Sequence, residues 1–89
     1  MSPEVSKTER FLLEAHKSAV VRLADICDGM LGFKYQEARK QAALNTLPFP
    51  VFKVRDSVQS PYLVRVDQLA AWLDARAEEA AQDWKRSQV

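Results

Sequence analysis

The 89-residue chain carries one histidine, His16, and one cysteine, Cys27. With no second histidine to share a metal, no partner thiol, no phosphate-binding glycine loop and no evident carboxylate pair, the reactive groups that an enzyme or a metal centre needs are missing. Neither catalysis nor a metal, cofactor or small-molecule ligand is expected. Cys27 sits among apolar residues at helical spacing and reads as core, while His16 lies near a helix end, where the dipole favours positive charge. The polar side chains with usable spacing are elsewhere. Gln36, Arg39, Lys40 and Ala43 fall at i, i+3, i+4 and i+7, which places them on one face of a helix.

Charge follows the same division. The chain as a whole has a net charge of +1, but residues 34–65 hold six basic groups (Lys34, Arg39, Lys40, Lys53, Arg55, Arg65) against Glu37 and Asp56, a balance of +4. Residues 1–33 have four basic and five acidic groups, and residues 66–89 have three and five, so the flanks stand at −1 and −2. A positive middle third on a nearly neutral chain suits a surface that meets phosphate on one side.

The elements that must position these groups can be read from periodicity. Ser6 and Glu9 have capping-box spacing, and Phe11, Leu12 and Ala15 mark an apolar side of a first helix ending near His16. Ala19-Val20-Val21 leads into Leu23, Ile26, Cys27 and Met30, a second helix with a buried stripe that Gly32 ends in a left-handed cap. Gly29 within it has no helical rationale beyond a close helix contact. Residues 34–44 form a third helix with Ala38 and Ala42 inward and the Gln36, Arg39, Lys40 face outward. This pair of helices and its tight turn match a helix-turn-helix. Asn45 and Pro48 stop the third helix.

Beyond it the period changes to two. Phe52 and Val54, then Tyr62, Val64 and Val66, describe two short strands around the polar turn 56–61, a hairpin or wing with basic residues near its tip. Asp67 caps a final helix with Leu69, Ala70, Leu73, Ala77, Ala80, Ala81 and Trp84 at helical spacing. Its second half outruns the needs of one small core, so Ala77, Ala80, Ala81 and Trp84 are candidates for an interface with a second subunit. The reading is one domain over residues 1–89, with a core at about 8–76 and a helical extension at 77–89. It is mainly α with a small β-hairpin, a winged helix-turn-helix with an extended C-terminal helix. No run approaches the roughly 20 apolar residues of a membrane span, and Met1-Ser2-Pro3-Glu4 lacks a signal-peptide pattern, so a cytoplasmic, nucleoid-associated protein is expected.

Phe11-Leu12-Leu13, the stretch 47–52 and the stretch 60–76 resemble the pyocin activator (PrtN) family, which is related to phage excisionases and MerR-like winged domains. The last stretch is the most specific, since it joins a strand, an aspartate and an aromatic-bearing helix at fixed spacing. Over residues 8–81 the resemblance implies a transcriptional activator of prophage or bacteriocin-type genes that binds double-stranded DNA. It implies that helix 34–44 is the reading helix, with Gln36, Arg39 and Lys40 at bases or phosphates and Lys34 and Tyr35 at its start. Arginine pairs with guanine and glutamine with adenine through paired hydrogen bonds. Lys53 and Arg55 would meet phosphate or the minor groove, with Ser57, Gln59 and Ser60 adding neutral hydrogen bonds, and Trp72 would be core beneath the wing. A homodimer or higher oligomer and contact with RNA polymerase are the expected assemblies. The alternatives are an excisionase-like factor that bends attachment-site DNA, and an interaction module that binds a host regulator without touching DNA.

Overall fold

The computed structural model describes residues 6–88, and the reading of Met1-Ser2-Pro3-Glu4 lies outside them. Ser6 caps the first helix as its spacing predicts: the Glu9 backbone N–H donates to Ser6 Oγ at 3.1 Å. That helix, α1 (Lys7–His16), ends where Lys17 turns left-handed (φ 56°) and its N–H donates to the Leu13 carbonyl. Its buried side is Leu12 with half-buried Leu13. Phe11 and Ala15, expected on the apolar side, face outward instead, because α1 meets the core along a strip only one or two side chains wide.

The apolar run before the second helix is a strand, β1 (Val20–Arg22), and not the approach to a helix. Its partner is β2 (Leu63–Arg65), antiparallel, with Val20 opposite Arg65, Val21 opposite Val64 and Arg22 opposite Leu63. Val21 and Val64 meet on the buried face while Arg22 and Arg65 point outward. β-branched residues fit a pleated, half-buried surface, and a partner supplied from far along the chain overrides the local helical spacing.

This pairing revises the wing. The expected hairpin between residues 52–54 and 62–66 survives as a single bridge, in which the Phe52 and Leu63 N–H groups donate to each other's carbonyls at 2.9 and 2.7 Å. β2 therefore lies between β1 and Phe52. The segment from Lys53 to Pro61 is a loop held at its base rather than a ribbon.

From β1 the chain enters α2 (Leu23–Ile26), which widens into a π-helical turn at Cys27–Leu31. Gly32 closes the turn at φ 78°, donating its N–H to the Cys27 carbonyl. The close helix contact considered for Gly29 is absent, since a methyl group there meets nothing within 4 Å and its φ is not positive. Gly29→Ala is accordingly expected to stabilise the fold by about 0.4–1 kcal/mol by restricting the unfolded chain. A raised urea midpoint at unchanged slope is the reading that checks it.

The next helix, α3 (Tyr35–Ala43), buries Ala38 and Ala42 completely against α2, and left-handed Asn45 (φ 56°) ends it as expected. The Thr46 N–H and hydroxyl both reach back to the Gln41 carbonyl. The last helix, α4 (Val66–Ser87), starts before Asp67. Asp67 is thus a first-turn residue and not the cap, and its carboxylate is held by Arg65 instead (2.8 and 3.1 Å).

Leu23, Ile26, Val64, Val66 and Leu69 are the largest fully buried side chains. Each contributes about 1.5–3 kcal/mol relative to exposure. Together they tie α2, the sheet and the start of α4 into one cluster. Phe49 meets Trp72 edge to face, ring centres 5.2 Å apart, so the Leu47–Val51 segment is pinned to α4. The fold is mainly helical with a small antiparallel sheet and a long C-terminal helix, a winged-helix-like arrangement. Among the described residues no helix is long and apolar enough to cross a membrane.

Candidate nucleic-acid interface

α3 displays its polar face because its small face is used up. Alanines at 38 and 42 let the helix lie flat on α2, which leaves Gln36, Arg39, Lys40 and Ala43 exposed on the opposite side. These four and Tyr62 line an open hollow of about 360 Å³. A neighbouring hollow of about 310 Å³ is lined by Lys34, Gln36, Glu37 and Lys40.

The wing returns towards the same face. Tyr35, Arg39, Lys53, Gln59, Ser60 and Tyr62 are among the walls of a third hollow of about 330 Å³, which also takes in Arg22. Arg55, Ser57, Gln59 and Ser60 help line a fourth, of about 320 Å³. Adjacent hollows share residues: Gln36 and Lys40, then Arg39 and Tyr62, then Gln59 and Ser60. All ten side chains that the sequence singles out on the third helix and wing therefore lie along one concave surface.

Local contacts set what each group can offer. Lys53 is half-buried; its ammonium donates to the Ser57 carbonyl at 3.2 Å and stands 4.6 Å over the Tyr62 ring. Its charge is thus anchored across the base of the wing, and part of its value is structural. Ser57 Oγ accepts from the Gln59 N–H at 3.2 Å, which shapes the loop tip. Val54 and Val58 stand exposed on the wing.

Two groups escaped the reading of the sequence. The alternation of the sequence marks Tyr62 only as a strand residue, yet it lines two of the hollows. Arg22 belongs to the N-terminal third, whose balance is −1, and its place on this surface is legible only with the β1–β2 pairing. Its guanidinium donates through Nε and Nη2 to both Asp25 oxygens at 3.0 Å, and those bonds and the carboxylate's charge raise its pKa further above the ordinary arginine value.

Cys27 is buried with its thiol near the Ala24 carbonyl, and His16 sits at the end of α1. Among the described residues no cluster of three His, Cys, Asp or Glu is arranged to hold a metal.

Ala77, Ala80 and Trp84 are exposed on the second half of α4, and Ala81 is half-covered. None of the four lines the hollows of α3 and the wing.

A family model described as pyocin activator protein PrtN matches residues 8–80. The chain belongs to that family. The match spans α1 through most of α4 and so contains every residue of the concave surface, and a pyocin activator is by its description a regulator of gene expression rather than a class of enzyme. Comparisons with curated proteins and with solved structures give no match.

Proposed function

We propose that this pyocin activator family member is a sequence-specific DNA-binding protein that activates transcription of pyocin-type or prophage genes. It works as a homodimer or higher oligomer at the nucleoid and brings RNA polymerase to the promoter. The observation that carries the reading is the concave surface, where α3 and the wing, separated in sequence, present Arg39, Lys40, Arg55 and Lys34 with Gln36, Gln59 and two serines. An isolated basic helix would supply charge alone. Cations mixed with amide and hydroxyl groups supply both phosphate attraction and hydrogen bonds to base edges.

The form of α3 also supports duplex DNA as the ligand. α3 is one short helix with an exposed polar face, the shape that a major groove admits, and the wing flanks it as a second contact to the adjoining backbone. Glu37, the one carboxylate lining the α3 hollows, accepts from Gln41 at 3.3 Å.

Salt dependence tests the reading. If four to six charges neutralise phosphates, log affinity for a bound duplex should fall against log salt with a slope of about −3.5 to −5.5. Affinity that ignores salt, or absence of any duplex binding, would remove DNA as the ligand.

A further inference from the structure

We propose that Arg22 and Asp25 form a base-reading pair at the edge of the concave surface, with Arg22 addressing a guanine and Asp25 holding it in place. This deepens the DNA-binding reading above and rests on it. Arg22 is the last residue of β1 and the one before α2, and its backbone is fixed by pairing opposite Leu63. Asp25 stands in the first turn of α2, where the helix dipole favours a carboxylate. The two side chains meet through a parallel fork, both bonds 3.0 Å long. Arg22 nonetheless remains largely exposed and forms a wall of the hollow it shares with Arg39 and Tyr35.

A free arginine on a surface must give up several rotatable bonds when it binds. The fork has already taken that freedom, and it leaves the far Nη edge of the guanidinium unused. Preorganisation of this kind serves recognition more than bulk attraction. Phosphate offers only acceptors and negative charge, which the adjacent Asp25 carboxylate would repel. A G·C pair in the major groove offers acceptors on guanine to an arginine and an amino donor on cytosine to a carboxylate. The pair therefore matches a base edge better than it matches the backbone.

The molecule contains its own comparison. Arg65 and Asp67 form the same kind of fork, at 2.8 and 3.1 Å, on the same outward face of the sheet. Arg65 does not line the hollows that contain Arg22 and the reading helix.

The experiment is selection of bound duplexes from a randomised pool by the full chain and four variants, followed by affinities on the selected and a random duplex. Arg22→Ala should erase preference for guanine at one position and weaken the selected duplex by roughly 5- to 100-fold, with a much smaller loss on random DNA. Arg22→Lys keeps the charge without the fork and should lose the same preference while circular dichroism stays native. Asp25→Asn removes repulsion and loosens the arginine, so it should bind random duplex more tightly and discriminate less. Arg65→Ala should select the wild-type sequence. Unchanged selection by Arg22→Ala and Arg22→Lys, or equal losses on both duplexes, would overturn the pair as a reader. A wild-type chain that captures no duplex would overturn the DNA-binding reading along with it, and is a distinct result.

Discussion

Arg39→Ala is expected to cost about 1–3 kcal/mol on the preferred duplex and much less on random DNA. No other side chain of α3 lines both the hollow along that helix and the one beneath the wing, so Arg39 is placed where the two contact regions join. Removing it deletes a fork that can pair with guanine while leaving the fold intact, because its side chain is exposed and Ala38 and Ala42 carry the packing. Lys53→Ala provides the contrast. Its ammonium holds the wing through Ser57 and Tyr62, so its loss should weaken every duplex by a similar factor. Competition titrations on the two duplexes separate these outcomes. Equal losses for Arg39→Ala on both would take Arg39 out of the reading set and leave it a phosphate contact.

Elements whose residues contact close neighbours in sequence were legible. The Ser6 cap, the left-handed stops at Gly32 and Asn45 and the inward alanines of α3 each depend on spacing or on one residue's backbone freedom, and the structure has all of them, while Trp72 is half-buried against Phe49 rather than core beneath the wing. The sheet was another matter. Val20-Val21 next to Leu23 and Ile26 has the spacing of a helix, and the alternation at residues 52–54 has that of a strand. β2 offers two edges: β1, from far back in the chain, takes one along its whole length, and residues 52–54 keep only the Phe52–Leu63 bridge on the other before the chain leaves into the wing loop.

The same limit hid Arg22. A basic residue at the end of an apolar run carries no sign of the surface it will join until the strand it ends is paired with one from the far side of the wing. The ten polar residues on α3 and the wing do not depend on that pairing. α3 needed only its own period, and the loop 53–60 has to project from whichever strand follows it.

Deleting the apolar tail of α4 should have the largest effect of all, a loss of roughly 10²- to 10⁴-fold in affinity for a site with two half-sites and little change on one half-site. α4 has 22 residues, about 33 Å at 1.5 Å per residue, and its fully buried positions, Val66, Leu69 and Ala70, all lie in the first turns. The ion pairs of the second half, Arg76 with Glu79 and Asp83 with Arg86, are exposed and each worth at most about 1 kcal/mol, and Gln82 adds a hydrogen bond to Glu78 along the same helix. Helices of this kind owe most of their stability to packing of an apolar face. Ala77, Ala80, Ala81 and Trp84 fall at i, i+3, i+4 and i+7, one stripe of the helix of the kind that forms a seam between two helices. Trp84 is 63% exposed, so it does not fold back on its own core. A second subunit's α4 would cover it and link two concave surfaces for half-sites about 34–36 Å apart. Trp84→Ala or a stop after Glu79 should therefore leave a folded monomer with native circular dichroism, whose thermal transition no longer shifts with protein concentration, where the parent chain sediments as a dimer. A wild-type chain that sediments as a monomer at micromolar concentration, free and on a full site alike, would end the proposal that α4 joins subunits.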